Sequence, residues 1–302
     1  METWLITGSA GFFGTNAAQF LNGRVSLIGQ ARKLKSSNHY PQVVGLDLID
    51  TAGAGALIRS VKPDIVLHGA AVSGHETAAN DPAQAFAVNV LATKAIAEAT
   101  CDIGARMVHI STDALFSGTR GNYSEGDPVD PFSVYGETKF AGEEAVRGAI
   151  EEHLIVRTNF FGWSETGSKS VLEFFVNSLR AGTRVRGYPD FIVTSMYVQT
   201  LMQTIWNLGE LGVKGTVNVA SSDALSKYEF GVAVARQFGL DSELIAMQGP
   251  VEGEHATSRT RDLSLNTDLV ASLMGGPMQT QSDGIRQASN DESVLANSIR
   301  ER

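Results

Sequence analysis

The sequence offers little that would let the protein be secreted, cross a membrane or bind nucleic acid. Cys101 is the one cysteine among 302 residues, so no internal disulfide can form, and this favours a reducing, cytoplasmic location. No run of ~18 apolar residues is present to span a bilayer, and Met-Glu-Thr-Trp at the start lacks the basic and apolar regions of a signal peptide. The net charge of −9 argues against a general nucleic-acid binder, which needs a basic surface. We therefore expect a cytoplasmic protein without membrane or nucleic-acid partners.

Signals for a metal site and for a hydrolase are also missing. The six histidines are scattered, and the segment that begins His75-Glu76 lacks the second histidine of a zinc-binding helix. No Gly-x-Ser-x-Gly segment marks a nucleophilic serine. With 43% apolar and 19% charged residues, the composition is that of a globular chain, neither disordered nor a coiled coil. We expect no metal.

Short apolar segments alternate with longer amphipathic ones through the first half of the chain. The pattern predicts strands at 2–7, 25–28, 43–46, 65–68, 107–111 and 154–158, and helices at 12–21, 51–61, 82–101 and 133–152. Within 82–101, buried positions recur at spacings of three or four from Phe86 to Ala97. Such alternation requires right-handed crossovers and a parallel sheet covered on both faces. The sequence therefore predicts an α/β fold with a doubly wound parallel sheet.

A glycine triplet lies between the first predicted strand and the first predicted helix. Gly8, Gly11 and Gly14 have the spacing Gly-x-x-Gly-x-x-Gly, a variant of the dinucleotide-binding pattern. The glycines permit a tight turn and close approach of a pyrophosphate, and the helix N-terminus then faces the phosphates. The simpler alternative is a loop that only turns the chain. We favour a cofactor site, and hence a Rossmann-like sheet.

The most informative absence is that of acidic residues between positions 3 and 46. An NAD-binding unit carries an acid about 20 residues after the glycines to bind the ribose hydroxyls. This chain instead has Gln30-Ala31-Arg32-Lys33-Leu34-Lys35 at the end of the second strand. Such a run is often a solvated loop, but a guanidinium pairs well with a 2′-phosphate. We predict that Arg32 and Lys33 favour NADPH over NADH, and that Asp47 and Leu48 touch the adenine.

A second polar group follows the fifth predicted strand. Ser111, Thr112 and Asp113 close that strand, and Tyr135 and Lys139 lie four residues apart on one face of the next helix. A lysine beside a phenol stabilises the phenolate, lowers its pKa and holds the ribose of a nicotinamide cofactor, while a threonine hydroxyl holds the substrate oxygen. We therefore predict Tyr135 as the proton donor in the reduction of a carbonyl group.

Together these motifs resemble the extended short-chain dehydrogenase/reductases, and in particular their dTDP-4-dehydrorhamnose reductase-like branch. The likeness rests on Ser-Thr-Asp-Ala-Leu-Phe-Ser-Gly from Ser111, Tyr-Gly-Glu-Thr-Lys-Phe-Ala-Gly-Glu-Glu from Tyr135, Phe-Phe-Gly-Trp from Phe160, and Ser-Arg-Thr-Arg-Asp-Leu-Ser-Leu from Ser258. It covers roughly residues 1–290. Members of that branch reduce the 4-keto group of a nucleotide-linked deoxysugar with NAD(P)H during carbohydrate biosynthesis.

The resemblance implies a role for each matching position. Thr112, Tyr135 and Lys139 are implied to be catalytic, with Asn89 supporting the lysine or its helix. Cofactor contacts are implied for Gly8, Ala10, Gly11, Phe12, Phe13, Gly14, Arg32, Lys33, Asp47, Leu48, Gly69, Ala70, Ala71, Asn89, Ser111, Tyr135 and Lys139. Substrate contacts are implied for Ser73, Thr112, Asp113, Ala114, Tyr135, Asn159, Phe160 and Arg259. A nucleotide-diphosphate sugar is the expected substrate, and a homodimer that pairs through helices 82–101 and 133–152 is expected.

The second half of the chain is less regular, because glycine-rich polar loops separate shorter elements. We predict an NADP-binding domain over residues 1–160, to which parts of 185–220 return. A smaller, interleaved substrate-binding lobe is predicted over 161–290, and a loosely ordered tail over 291–302.

Two departures from the branch leave the substrate open. Ala114 replaces its tyrosine and Thr260 replaces its proline, so a different keto sugar or another ketone remains an alternative. A 4,6-dehydratase needs Thr-Asp-Glu, which Ala114 interrupts, and the missing ribose acid argues against an NAD-retaining epimerase. Some members of the branch are regulatory subunits without hydride transfer, a reading that the intact Thr112, Tyr135 and Lys139 disfavour.

Overall fold

The computed structural model describes residues 1–33, 39–248 and 261–300, with side chains as far as residue 292. Its strands are β1 (Thr3–Thr7), β2 (Ser26–Ala31), β3 (Gln42–Gly45), β4 (Ile65–His68), β5 (Arg106–Ile110), β6 (His153–Arg157), β7 (Asn159–Phe161), β8 (Val185–Gly187), β9 (Phe191–Val193), β10 (Ser195–Tyr197), β11 (Gly215–Asn218), β12 (Leu225–Ser226), β13 (Ile245–Met247) and β14 (Arg261–Asp262). Its α-helices are α1 (Phe12–Leu21), α2 (Thr51–Val61), α3 (His75–Asn80), α4 (Pro82–Phe86), α5 (Thr93–Asp102), α6 (Val134–Ala149), α7 (Val171–Arg180), α8 (Val198–Glu210), α9 (Lys227–Gln237), α10 (Asp268–Met274) and α11 (Gln281–Arg300).

The chain divides into two compact units. The first contains residues 1–116, 128–157 and 208–217, and the second is built from the remaining segments. The first unit lacks 117–127 and 158–160 of the domain predicted over 1–160, and its segment 208–217 lies within the range 185–220 from which parts are predicted to return to that domain. Helix α11 runs through the start of the predicted loose tail at residue 291.

A parallel sheet of seven strands forms the centre of the first unit, in the order β11-β6-β5-β4-β1-β2-β3. The predicted doubly wound α/β fold is confirmed. The strand order reverses between β1 and β4, and ligands of such sheets bind beside the carboxyl ends at this point. Because both faces are covered, β1, β4 and β5 are short apolar runs whose residues are almost all buried.

One predicted helix, over 82–101, is divided in the structure. Helix α4 passes into a π-helical turn at Ala87–Ala92 before α5 begins. The wider turn contains Asn89, which is buried and forms hydrogen bonds with the backbone of Val72. A π turn inside a helix accommodates one extra residue, so its position depends on tertiary partners that apolar spacing does not reveal.

The second unit is built from short sheets and helices. Its strands form β10-β7, β12-β9-β14 and β13-β8. Helices α7 and α9 start at serine–glutamate capping boxes, Ser170 with Glu173 and Ser226 with Glu229, which satisfy the first amides of each helix. Across the described residues of both units, every helix is too short or too polar to traverse a bilayer.

Candidate active site

The glycine turn after β1 contains three positions without side chains, Gly8, Gly11 and Gly14. Gly8 has φ +69°, its amide donates to Gln30 Oε1 at 3.1 Å, and a Cβ on it would lie 2.9 Å from the Ala70 Cα. A Cβ on Gly14 would clash with the carbonyl oxygen of Gly8. Helix α1 begins directly after this turn, at Phe12. The geometry suits a pyrophosphate, because a negative group meets backbone amides and the positive end of a helix.

A cavity of about 360 Å³ adjoins the end of β2. Ala10, Ala31, Arg32 and Lys33 line it, and both cationic side chains are exposed. This lining contains two cations and no carboxylate, which suits a phosphate group. Lys35, the third cation of the run, lies outside the described residues.

The residues predicted to touch adenine have different surroundings. Asp47 is exposed, and its Oδ1 accepts a hydrogen bond from the Ile49 amide at 3.2 Å. Leu48 is buried in the hydrophobic core cluster, so its side chain faces the core. The sequence patterns missed Gln30, whose Nε2 donates to the Leu46 carbonyl at 2.7 Å while its Oε1 accepts from Gly8. Gln30 thus fixes the glycine turn against the segment that follows β3.

Tyr135 lies in the first turn of α6, where Ser133 caps the helix by accepting from the Gly136 amide at 3.2 Å. Burial and, to a lesser extent, the charge of Asp113 together raise the pKa of Tyr135 to about 12, although the neighbouring Thr112 hydroxyl acts in the opposite direction. The Thr112 hydroxyl itself donates to Asp113 Oδ1 at 3.1 Å. The structure contradicts the predicted lowering of this pKa. The phenol is therefore held in its protonated form at neutral pH.

Lys139 is buried one turn further along α6, and its amine points at β5. Nζ donates to the Ile110 carbonyl at 2.7 Å and lies 3.3 Å from His109 Nε2. Burial lowers the pKa of Lys139 to about 8, while Glu143 opposes this shift. These contacts explain the difference at Tyr135, because in this structure the ammonium is directed at the strand.

Asn89 and Ser111 hold protein groups in place. The Asn89 Nδ2 donates to Thr138 Oγ1 at 3.0 Å, beside Lys139 on α6, and its amide also binds the Val72 backbone. The Ser111 hydroxyl donates to Glu143 Oε1 at 2.5 Å. Both residues therefore support the helix that carries Tyr135 and Lys139, and their contact with a cofactor stays a prediction.

The remaining predicted residues are only partly brought together. Gly69, Ala70 and Ala71 follow β4, Ser73 is exposed beyond them, and Ala114 is buried with its amide 3.2 Å from Thr112 Oγ1. Asn159 and Phe160 lie on β7 in the second unit, where Asn159 Oδ1 accepts from Ser195 Oγ at 2.6 Å. Arg259 and Thr260 lie outside the described residues.

The structure adds a residue that the sequence patterns passed over. His75 Nδ1 lies 2.8 Å from Ser133 Oγ, and its ring stands edge-on to the Tyr135 ring with 5.7 Å between centroids. In the sequence His75 belongs to the segment that lacks a second zinc-binding histidine, and no spacing rule relates it to Tyr135. In the described part of the chain, no three His, Cys, Asp or Glu residues are grouped to hold a metal ion.

The doubly wound parallel sheet, with a glycine turn after its first strand, places the protein in the Rossmann-like class. Within that class, the chain belongs to the RmlD substrate binding domain family, whose model matches residues 2–293.

Several curated relatives match most of the chain. It is 30% identical over 251 residues to the dTDP-4-dehydrorhamnose reductase of Mycobacterium tuberculosis, covering 81% of this chain and 78% of the relative. It is 27% identical over 285 residues to the probable low-salt glycan biosynthesis reductase Agl14 of Haloferax volcanii, covering 93% and 95%. It is also 27% identical over 249 residues to the methionine adenosyltransferase 2 subunit beta of Xenopus tropicalis, covering 79% and 72%.

Solved structures show the same fold. A hypothetical dTDP-4-dehydrorhamnose reductase from Sulfolobus tokodaii is 26% identical, with a TM-score of 0.82 over 94% of this chain and 99% of that one. The dTDP-4-dehydrorhamnose reductase from Bacillus anthracis, crystallised with NADP, is 23% identical, with a TM-score of 0.83 over 96% of this chain and 98% of that one.

Proposed function

We propose that this protein is an NADPH-dependent reductase of a keto group, most specifically the 4-keto group of a nucleotide-linked deoxysugar. The observation that carries the proposal is the position of Thr112, Tyr135 and Lys139 at the carboxyl edge of one sheet. The same edge carries the glycine turn after β1. A proton donor and a dinucleotide cradle on one sheet edge are the two components that carbonyl reduction needs.

The first unit fits a nicotinamide cofactor with a 2′-phosphate. The glycine turn would hold the pyrophosphate, and Arg32 and Lys33 would hold the 2′-phosphate at the cavity that they line. The NADP bound by the Bacillus anthracis neighbour supports this choice. When bound, NADPH supplies the hydride.

Side chains of the protein would supply the proton that the reduced carbonyl oxygen takes up. A phenol with a pKa of about 12 remains protonated at neutral pH, and it can give its proton to the stronger base that a reduced carbonyl oxygen becomes. Thr112, whose hydroxyl is close enough to Tyr135 to lower its pKa, would orient that oxygen. Lys139 would be the cationic partner of the phenolate left after proton transfer, although in this structure its buried amine is directed at the Ile110 carbonyl.

The substrate class follows from the relatives named as reductases. Those of Mycobacterium tuberculosis and Haloferax volcanii act in nucleotide-sugar or glycan chemistry by their names, which favours an activated keto sugar here. Ala114 has a methyl group where the branch has a tyrosine, and we expect it to change which sugar is accepted.

A second candidate function is that of a regulatory subunit. The relative named methionine adenosyltransferase 2 subunit beta covers 79% of this chain, so an NADP-binding protein that acts on a partner enzyme is a real alternative. The presence of Thr112, Tyr135 and Lys139 favours the enzyme, because a subunit without hydride transfer needs no proton donor.

The decisive experiment follows the loss of NADPH absorbance with a panel of dTDP- and UDP-linked 4-keto sugars. The wild type should oxidise NADPH, and Tyr135→Phe should lose roughly 10²–10⁴-fold in kcat while binding NADPH normally. If both proteins bind NADPH and neither turns over any ketone, the regulatory function is correct instead.

Cofactor choice has its own test. Arg32→Ala combined with Lys33→Ala should weaken NADPH binding roughly tenfold or more and leave NADH binding unchanged, because only NADPH carries the 2′-phosphate. Arg24→Ala is the matched control, since this exposed arginine precedes β2 whereas Arg32 follows it. Equal losses for both cofactors in a fluorescence titration would contradict the assignment.

We also propose a homodimer that uses the predicted helices. Phe86 at the end of α4 is 48% exposed, so it does not belong to the buried face that its spacing predicts. Together with Leu91 in the π turn, which is 44% exposed, it suits a helical interface. Sedimentation of wild type and of a Phe86→Glu/Leu91→Glu variant checks this, with the variant expected to be monomeric.

A further inference from the structure

Two fully buried histidines lie side by side behind the lysine of α6. His68 on β4 and His109 on β5 are register partners, and their rings stack with centroids 5.2 Å apart at 25°. His68 is held at both nitrogens, by Thr7 Oγ1 at 2.7 Å and Thr93 Oγ1 at 2.9 Å. The pair therefore forms a rigid layer, and the proposed proton transfer assigns no role to it.

His109 is bonded differently from His68. Its Nε2 faces Lys139 Nζ at 3.3 Å, whereas its Nδ1 has no hydrogen-bond partner in the described residues. An ammonium can only donate hydrogen bonds, so Nε2 must be the unprotonated, accepting nitrogen. The proton of the neutral ring then lies on Nδ1, although a buried N–H without a partner is costly and rare in folded proteins.

We propose that His109 is a positioning residue for Lys139, locked as the neutral Nδ1–H tautomer so that Nε2 and the Ile110 carbonyl together fix the direction of Nζ. The contact of Lys139 Nζ with Nε2 supports this assignment, and the unpartnered N–H at Nδ1 is the cost of accepting from the lysine. His68 prevents the ring from tilting away. The tautomer follows from the structure alone, whereas its effect on catalysis rests on the proposed reductase function.

The charges around the amine define what a loss of His109 would do. On α6, Glu143 lies one turn after Lys139 and Tyr135 one turn before it, and Asp113 follows β5. Arg157 and Arg147 pair with Glu143, His153 on β6 also acts on His109, and burial keeps His68 and His109 neutral. With these groups unchanged, removing the Nε2 acceptor takes a stronger hydrogen bond from the charged form of Lys139 than from the neutral amine, so the pKa of the amine falls.

The tautomer is testable without turnover, by ¹H–¹⁵N correlation spectra of ¹⁵N-histidine-labelled protein. His109, assigned from its absence in His109→Phe, should show a protonated Nδ1 and an unprotonated Nε2 from pH 5 to pH 7. In Lys139→Met, which removes the donor, the Nε2 resonance should move. A protonated Nε2 at pH 7, or no change in Lys139→Met, overturns the proposal whatever the fate of the reductase function.

The functional consequence is tested with paired variants. His109→Phe keeps a stacked ring but no acceptor, and should lower kcat about tenfold and move the basic limb of kcat/KM roughly one pH unit toward acid. His109→Gln offers an amide oxygen and should recover part of both effects. His153→Gln, which removes a histidine that does not contact Lys139, should change neither. A loss of thermal stability in His109→Phe with an unmoved pH profile would show a merely structural ring.

Discussion

Two buried polar clusters form around side chains one helical turn apart on α6, and they accommodate a buried charge in opposite ways. The carboxylate cluster (Ser111, Glu143, Arg147 and Arg157) keeps full charges inside the protein. The lysine cluster (His68, His109 and Lys139) surrounds one amine with neutral rings. Lys139 and Glu143 belong to the same face of the helix, four residues apart, so the contrast comes from their partners and not from their backbone.

The carboxylate cluster is saturated with hydrogen bonds. Glu143 is 0% exposed and accepts from Ser111 at 2.5 Å, from Arg147 at 2.7 Å and from Arg157 at 2.8 Å. Its pKa is lowered, because these donors outweigh the desolvation that opposes them. A carboxylate satisfied this fully stays charged at all moderate pH values and serves the fold.

In the lysine cluster, the charged amine of Lys139 has fewer hydrogen-bond partners than the Glu143 carboxylate has. Lys139 has a carbonyl and one imidazole as acceptors, and its pKa falls to about 8 because burial outweighs the charge of Glu143. An amine poised near physiological pH is typical of sites that handle protons. In this protein, the buried charge whose hydrogen bonds are all satisfied belongs to the structural cluster. The buried charge with fewer hydrogen-bond partners belongs to the candidate catalytic cluster.

The largest effect should come from breaking the carboxylate cluster. Glu143→Leu leaves Arg157 buried without a counter-charge, and removing one partner of a buried pair costs about 3–5 kcal/mol of unfolding free energy. Urea denaturation measures the loss. The double variant Glu143→Leu/Arg157→Leu should recover part of it, because no isolated charge remains buried.

Glu144→Leu is the matched control for that experiment. Glu144 is the exposed neighbour on the same helix and pairs with the same Arg147. Its loss should change the unfolding free energy by no more than about 1 kcal/mol, as expected of an exposed ion pair. Equal losses at positions 143 and 144 would contradict the distinction between the clusters.

An effect of intermediate size should appear in how the free energy of unfolding depends on pH, because the two clusters lose their stabilisation in different pH ranges. The pKa of His68 falls from 6.5 to about 3 in the folded protein, so the unfolded chain binds more protons and stability declines as pH falls below about 6.5. At pH 5 the cost for this histidine is about 2 kcal/mol. The Glu143 carboxylate also loses its stabilisation in acid, but only below its ordinary pKa of 4.5.

Denaturation at pH 7 and pH 5 can therefore tell the two clusters apart. His109→Phe removes one buried histidine and should reduce the drop in stability between these pH values. Glu143→Gln should lower stability at both pH values and leave the size of the drop unchanged. A drop that His109→Phe does not reduce would show that His109 binds protons equally in the folded and unfolded states, against the lowered pKa that burial gives it.

The sequence predicts the outline of this site but not its supporting contacts. Gly8, Tyr135 and Lys139 are predictable because their spacing and their positions after strands are local features of the sequence. His68 and His109 each look like an ordinary strand residue, and only the register of β4 against β5 places them together. The pKa of Tyr135 was predicted in the wrong direction, because local spacing gave the partner of the phenol but not the direction in which Lys139 points.

The smallest effect should come from His75, the exposed histidine, in contrast to the buried pair. His75→Ala removes the contact of Nδ1 with Ser133, the N-cap of α6, and the edge-on contact with Tyr135. Because both contacts are near the surface, we expect kcat/KM to fall only roughly two- to fivefold, with KM nearly unchanged.

A double-mutant cycle with Ser133→Ala separates the two contacts of His75. If the hydrogen bond to Ser133 carries the effect, the double variant should be no worse than Ser133→Ala alone, since the two side chains act through one bond. Strictly additive losses would instead assign the effect to the ring contact with Tyr135. A wild-type kcat/KM in His75→Ala would show that the phenol is held by Thr112 and burial alone, which confines the positioning of the site to the buried clusters.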